Sequence, residues 1–182
     1  MIEKWKTLSQ KLIGNFRIFD LFQYERKHPK THKISSFYGL NSVNWVNIIP
    51  ITKDDEIILV EQYRHGIDAT SLEIPAGLVE LNEEPKNAAM RECIEETGYQ
   101  GEGEATFLGR VRPNPAYLNN FCYHYIWLNC EKKYEQNLDE NEDINVIKLP
   151  FNQIKNMIES GEIDHSLVIS ALYYFEKNHL FN

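Results

Sequence analysis

The chain has 182 residues, 42% of them hydrophobic and 25% charged, which suits one globular domain with a short extra element at one end. The net charge of -8 argues against a broad nucleic-acid surface, yet a small anionic substrate stays possible if metal ions reverse the local field. Cys93, Cys122 and Cys130 form no Cys-x-x-Cys pair, no apolar run reaches membrane-spanning length and Met1 to Gln10 hold no signal-peptide core, so neither a zinc framework nor a membrane role is expected and the cytoplasm is the expected location.

Residues 1–41 carry aromatic and basic patches such as Phe16-Arg17-Ile18-Phe19-Asp20-Leu21-Phe22, and predict two or three strands with a turn at Lys27-His28-Pro29-Lys30-Thr31. Val43–Ile51 and Ile57–Val60, separated by the polar turn Lys53-Asp54-Asp55, are short apolar runs of the kind buried on both faces of a sheet. Leu72–Pro75 is a further short strand that Ala76-Gly77 ends in a turn. Asn82 is the expected N-cap of a helix that begins with Glu83 and Glu84, takes Pro85 in its first turn and runs to about Thr97, where Gly98 suits a left-handed cap. Ala89 and Cys93, with Met90 and Ile94 beside them, form its inward stripe.

Phe107–Val111 is the next strand. In the one after it Phe121, Tyr123, Tyr125 and Trp127 alternate with Cys122, His124, Ile126 and Leu128. Residues 131–143 are polar and acidic and predict a loop, followed by a strand over Ile144–Leu149. Pro150 opens a helix ending near Gly161, and Asp164 caps a last helix with the apolar stripe Leu167, Ala171, Leu172 and Phe175. Strands interspersed with helices predict an α/β/α sandwich.

The chemistry concentrates between Gly77 and Tyr99. Glu92 and Glu96 are i and i+4 on one helix face and Glu95 lies beside them, with Arg91 in front and Gly98 behind. Like charges so close repel, and a divalent cation bound by oxygen ligands is the natural compensation. A lone Glu-x-x-x-Glu pair is ordinarily a solvated face. Here Gly77, Glu83, Arg91, Glu92, Glu95, Glu96 and Gly98 fall in one frame: Gly, five residues, Glu, seven residues, then Arg-Glu-Cys-Ile-Glu-Glu-Thr-Gly-Tyr.

That frame resembles the signature of the Nudix hydrolases at every fixed position, with Cys93 and Tyr99 at its two apolar positions. The resemblance implies a loop-helix-loop on an α/β/α sandwich with a mixed sheet, and Mg2+- or Mn2+-dependent hydrolysis of a nucleoside diphosphate linked to another group. It implies Glu92, Glu96 and the Ala76 carbonyl as metal ligands, with Glu95 a ligand or close neighbour. Glu83 and Arg91 would orient loop and helix through an ion pair, and Gly77 would give the backbone a tight bend.

A second acidic cluster, Asp139-Glu140-Asn141-Glu142-Asp143, precedes the last strand. A calcium loop is excluded, since its glycine position holds Ile144 and its final glutamate position holds Pro150. With the helix near Glu159–Asp164, the cluster resembles the C-terminal part of ADP-ribose pyrophosphatases. The likeness implies Glu140 as general base and Glu142 as a further metal ligand, two roles that could be exchanged.

Glu61-Gln62-Tyr63-Arg64 and Glu73-Ile74-Pro75-Ala76-Gly77 also resemble the ADP-ribose and nucleotide-sugar branch. Arg64, which can fork onto phosphate oxygens, together with Glu73 and Pro115 are the expected substrate contacts. Pro115 sits in Asn114-Pro-Ala rather than the Ser-Pro-Gly of many ADP-ribose-cleaving members, which leaves the sugar open. His65 stands next to Arg64, but with no His-x-x-x-His pairing and no cysteine partner His28, His32, His65 and His124 all read as structural. The resemblance divides the chain into an N-terminal β-rich dimerisation element, 1–41, and a hydrolase domain, 42–182, acting as a homodimer on nucleoside diphosphate sugars. The weighed alternatives are a triphosphate or oxidised-nucleotide pyrophosphatase of the same fold and a non-catalytic nucleotide-binding module.

Overall fold

The computed structural model describes residues 1–179. Their contacts divide them into two units: Met1–Val43 with Arg112–Phe121, and Asn44–Val111 with the chain from Cys122 on.

In the first unit β1 (Lys6–Asn15), β2 (Phe19–Lys27) and β3 (Ile34–Ser42) form an antiparallel sheet in that order. The turn after β2 is built by His28, whose Nδ1 accepts the backbone N–H groups of Lys30 and Thr31 at 3.1 and 3.2 Å. That is the structural part expected of His28. The segment Arg112–Phe121 joins this unit through the Leu40–Leu118 bridge and the Leu40 N–H to Tyr117 carbonyl bond of 2.7 Å. Leu12, Phe16, Ile18, Ile34 and Tyr38 are exposed on it.

The second unit is organised by β4 (Trp45–Thr52) and β5 (Glu56–Arg64). Val46, Ile48, Ile49, Ile58, Leu59 and Val60 are wholly buried there, as β-branched runs covered on both faces should be. Asp55, with φ 58°, makes the tight turn between the two strands. β6 (Ala69–Glu73) pairs with β5 and β7 (Ala76–Leu78) with β4. After α1 (Pro85–Thr97) come β8 (Tyr99–Gln100), β9 (Thr106–Val111), β10 (Cys122–Lys132) and β11 (Ile144–Pro150). The main path of the sheet is β11-β5-β4-β10-β8; β4 and β10 run parallel and the other pairs antiparallel, so the sheet is mixed.

Helices cover both faces. On one side α1 packs Ala88, Ala89 and Cys93 against Val46, Ile48, Ile58, Tyr125 and Trp127. On the other, α2 (Phe151–Ser160) and α3 (Ser166–His179) bring Ile154, Val168, Ala171 and Leu172 onto Ile49, Ile57, Leu59 and Ile126. The alternation expected along β10 holds through Trp127. Asn129, with φ 54°, then interrupts the register and returns Cys130 to the α1 side.

Two expected helix starts are corrected. Glu84, not Asn82, is the N-cap of α1, and Pro85 is its first residue. Proline excludes its predecessor from helical geometry, so Glu84 stays extended with ψ 135°. Asn82 instead takes a left-handed turn with φ 65°, which a short amide side chain tolerates. α3 begins at Ser166, and its first-turn bond runs from the Ile169 N–H to the His165 carbonyl, past Asp164. Gly98 caps α1 as expected, with φ 75° and its N–H on the Ile94 carbonyl.

Candidate active site

Ala76 and Gly77 run along β4 opposite Asn47 and Val46, at the entrance of the loop that leads to α1. Gly77 is not among the residues of positive φ, so a left-handed bend is not what demands glycine there. The demand is space: a Cβ built on Gly77 would fall within the Glu92 carboxyl group. The strand and the carboxylate face of the helix therefore touch directly. Glu96 completes the contact by accepting the Ala76 N–H at 3.1 Å.

Arg91 is the internal counter-charge. Its Nε and Nη2 grip Glu83 Oε1 and Oε2, each at 3.0 Å. The second Nη2 hydrogen goes to the Leu78 carbonyl at 3.1 Å, and Nη1 reaches Glu92 Oε1 and Glu95 Oε2, each at 2.9 Å. All five guanidinium N–H groups are thus used. Glu83 is free to reach back because Pro85 holds it outside the helix; it also accepts the Glu80 N–H at 3.0 Å.

One arginine does not neutralise this cluster. Burial, then the charges of Glu95 and Glu142, push the Glu92 carboxyl up to about 7 against the pull of Arg91. Burial pushes Glu96 well above the carboxylate range, and Glu92 and Glu142 add to it although the Ala76 N–H and Arg64 oppose. Glu96 is only 4% exposed.

The second acidic loop is brought here by bonds to the end of α1. The N–H groups of Lys133 and Tyr134 donate to the Gly98 carbonyl and that of Asn137 to the Glu95 carbonyl. Gln136 Nε2 donates to the carbonyls of Glu96 at 2.7 Å and Ile144 at 3.0 Å, pinning helix to strand. Beyond it Glu142 closes a turn with Asp139 and sends its charge onto Glu92, Glu96 and Arg64. Glu140 lies exposed on the same turn. No local pattern in the sequence singles out Gln136, since its two partners are 40 and 8 positions away.

Arg64 forks onto Glu73, Nε to Oε1 at 2.8 Å and Nη2 to Oε2 at 2.7 Å. Glu73 is 1% exposed. Burial pushes its carboxyl up, but the bond and charge of Arg64, with His165 and Ser71, hold it below the ordinary value. With both oxygens on Arg64, Glu73 serves as the arginine's anchor. Arg64 feels Glu96 and Glu142 and so belongs to the same field as the box. His65 is exposed in the turn after β5. Pro115 belongs to the first unit, in a turn where the Asn114 carbonyl accepts the Leu118 N–H at 2.8 Å.

Among the described residues no three His, Cys, Asp or Glu side chains converge into a preformed metal cage. The donor set nevertheless fits a hard cation. Mg2+ is held by one or two carboxylates together with waters and substrate phosphates rather than by an all-protein cage. Glu92 and Glu96 lie beside the Ala76–Gly77 backbone, and the burial and neighbouring carboxylates that disfavour their charged forms are what a bound divalent cation would offset.

A NUDIX domain profile matches residues 43–172. The chain belongs to the NUDIX family. It is a hydrolase, and divalent-metal dependence is general in this family. It is 28% identical to the ADP-ribose pyrophosphatase of Bacillus subtilis (strain 168) over 94% of this chain and 92% of that one. It is 33% identical to the GDP-mannose pyrophosphatase of Escherichia coli (strain K12) over 71% of each, and 33% identical to the methanol dehydrogenase activator of Bacillus methanolicus over 72% of this chain and 71% of that one. A solved structure of an ADP compounds hydrolase superimposes with a TM-score of 0.85 at 21% identity, covering 97% of this chain and 95% of its own, which speaks for the fold.

Proposed function

We propose that this NUDIX hydrolase cleaves the pyrophosphate bond of nucleoside diphosphate sugars with Mg2+ or Mn2+, ADP-ribose foremost, giving AMP and ribose 5-phosphate. The observation that carries the reading is the packing of the helix on the strand: Glu96 accepts the Ala76 N–H and the Glu92 carboxyl fills the space beside Gly77, so two carboxyl groups whose charged forms burial disfavours lie against one strand backbone. The pyrophosphatase relatives supply the substrate class, the B. subtilis protein along nearly the whole chain.

Glu92, Glu96, the Ala76 carbonyl and Glu142 would hold the metal, with Glu95 beside them. A bound divalent ion lowers the pKa of water, screens the pyrophosphate charge and orients the reacting oxygens. Arg91 keeps Glu83, Glu92 and Glu95 in one arrangement, and Arg64, anchored on Glu73, offers its remaining N–H groups to a phosphate. Glu140 is assigned as the base that takes the proton of the attacking water, with Glu142 the alternative for that role. Pro115 is assigned to the sugar end of the substrate.

The N-terminal element is assigned to a homodimer, for which the exposed Leu12, Phe16, Ile18 and Tyr38 supply apolar surface. No helix among the described residues is long and apolar enough to cross a membrane, and we assign the protein to the cytoplasm. The test is a Mg2+ assay of ADP-ribose, ADP-glucose, GDP-mannose and dGTP, with light scattering for the dimer. ADP-ribose is expected to turn over fastest; dGTP turnover far above the sugars overturns the substrate class.

A further inference from the structure

We propose that His165 is a positioning residue for Arg64, acting through the buried carboxylate of Glu73, and so governs how tightly the chain holds substrate phosphate. This rests on the reading of Arg64 as the phosphate contact.

The geometry runs from α3 back to the site. Glu73 ends β6, almost wholly buried, and its two oxygens take the Nε and Nη2 of Arg64. Among the described residues Glu73 is the hydrogen-bond partner of that fork, so Nη1 and one Nη2 hydrogen are left at the exposed edge of a side chain that is 42% accessible. The direction of that free edge depends on how firmly Glu73 is held.

Among the described residues the Ser71 hydroxyl and His165 also act on Glu73, both lowering the pKa of its carboxyl. His165 Nδ1 lies 3.5 Å from Glu73 Oε2 and is buried without a hydrogen-bond partner. A bare nitrogen lone pair against a buried carboxylate is unfavourable, so the imidazole form carrying hydrogen on Nδ1 is the one this position selects. The backbone of His165 is itself fixed. Its carbonyl takes the Ile169 N–H in the first turn of α3, and Leu167 and Val168 just beyond are in the core. Neither the box nor the acidic loop contains this histidine. A group that locks the support of a substrate-binding side chain preorganises the site without touching the ligand.

The experiment is steady-state kinetics on the fastest substrate of the panel for His165→Ala, His165→Asn, Arg64→Ala and the Arg64→Ala/His165→Ala double variant. His165→Ala is expected to raise KM about five- to tenfold with kcat nearly unchanged, the signature of lost uniform binding. The Asn amide nitrogen stands where Nδ1 stood, and His165→Asn is expected to return KM to within about twofold of the parent. In the Arg64→Ala background His165→Ala should change nothing further, because the two act as one unit. If His165→Ala does not fold, His165→Gln, whose amide lies one methylene farther out, replaces it with the same expectation. An unmoved KM in His165→Ala, with KM raised in Arg64→Ala, overturns this inference alone. An unmoved KM in Arg64→Ala overturns the phosphate reading and the inference with it. The same His165 effect in both backgrounds, or a fall in kcat at constant KM, also overturns it.

Discussion

Glu92 occupies the space where any side chain at Gly77 would stand. The glycine at the mouth of the loop and the first carboxylate of the helix are thus two halves of one contact, fifteen positions apart in sequence. Gly77→Ala is expected to displace Glu92, lowering kcat/KM by at least about a hundredfold, with an overpacking cost of about 1–3 kcal/mol. Activity assays and thermal melts check both, and a fully active Gly77→Ala protein contradicts the contact.

Arg91 uses every N–H it has, on three carboxylates and one carbonyl. Arg91→Lys keeps the charge but loses the fork. It is expected to destabilise the protein by about 2–4 kcal/mol and to reduce kcat well beyond what charge retention alone would allow. Urea unfolding alongside kinetics measures this; a variant within error of the parent in both contradicts it.

Gln136 ties the Glu96 and Ile144 carbonyls together at the root of the Glu142 loop. Gln136→Ala leaves two carbonyls without that donor, at a cost of about 1–2 kcal/mol. A roughly tenfold fall in kcat is expected as the acidic loop loosens, with faster amide exchange over residues 137–143. Hydrogen-exchange mass spectrometry reads the loop directly, and unchanged exchange there contradicts the pinning role.

His124 predicts how stability responds to acid. Burial lowers it from an ordinary 6.5 to about 4. Its Nε2 meets the Ser170 hydroxyl at 3.0 Å, while Nδ1 is buried without a partner. Above pH 6.5 the imidazole is neutral in both folded and unfolded chains and adds no pH dependence. Between 6.5 and about 4 the unfolded chain takes the proton and the folded chain does not. Stability should therefore fall as pH falls through that window, by at most about 3 kcal/mol, and level off below it. His124→Gln should flatten this component in urea titrations at pH 7, 5.5 and 4.5; an unchanged slope contradicts the assignment.

How much of this was readable in the sequence depends on how local each feature is. The Gly98 cap, the buried β4 and β5 runs and the Glu92–Glu96 face follow from spacing alone, because their partners lie within a turn or on the same strand. The start of α1 departs from the local pattern because the constraint of Pro85 on its predecessor outweighs the capping preference of Asn82. The reason for glycine at 77 is not legible locally, because a close approach across fifteen residues leaves no pattern in the sequence. Gln136 and His165 lack any signal of their own: each matters through a backbone carbonyl or a buried carboxylate that only the folded sheet and helices bring near.

The most direct test of the metal-carboxylate account is the Mg2+ activation curve of ADP-ribose hydrolysis in the parent, Glu96→Gln and Glu140→Gln proteins. The account predicts that Glu96→Gln loses more than Glu140→Gln, whose loss should lie in the range of about 10²–10⁴ expected for a missing general base. It also predicts that excess Mg2+ does not restore Glu96→Gln. Parent-level activity in Glu96→Gln at any Mg2+ concentration would contradict it.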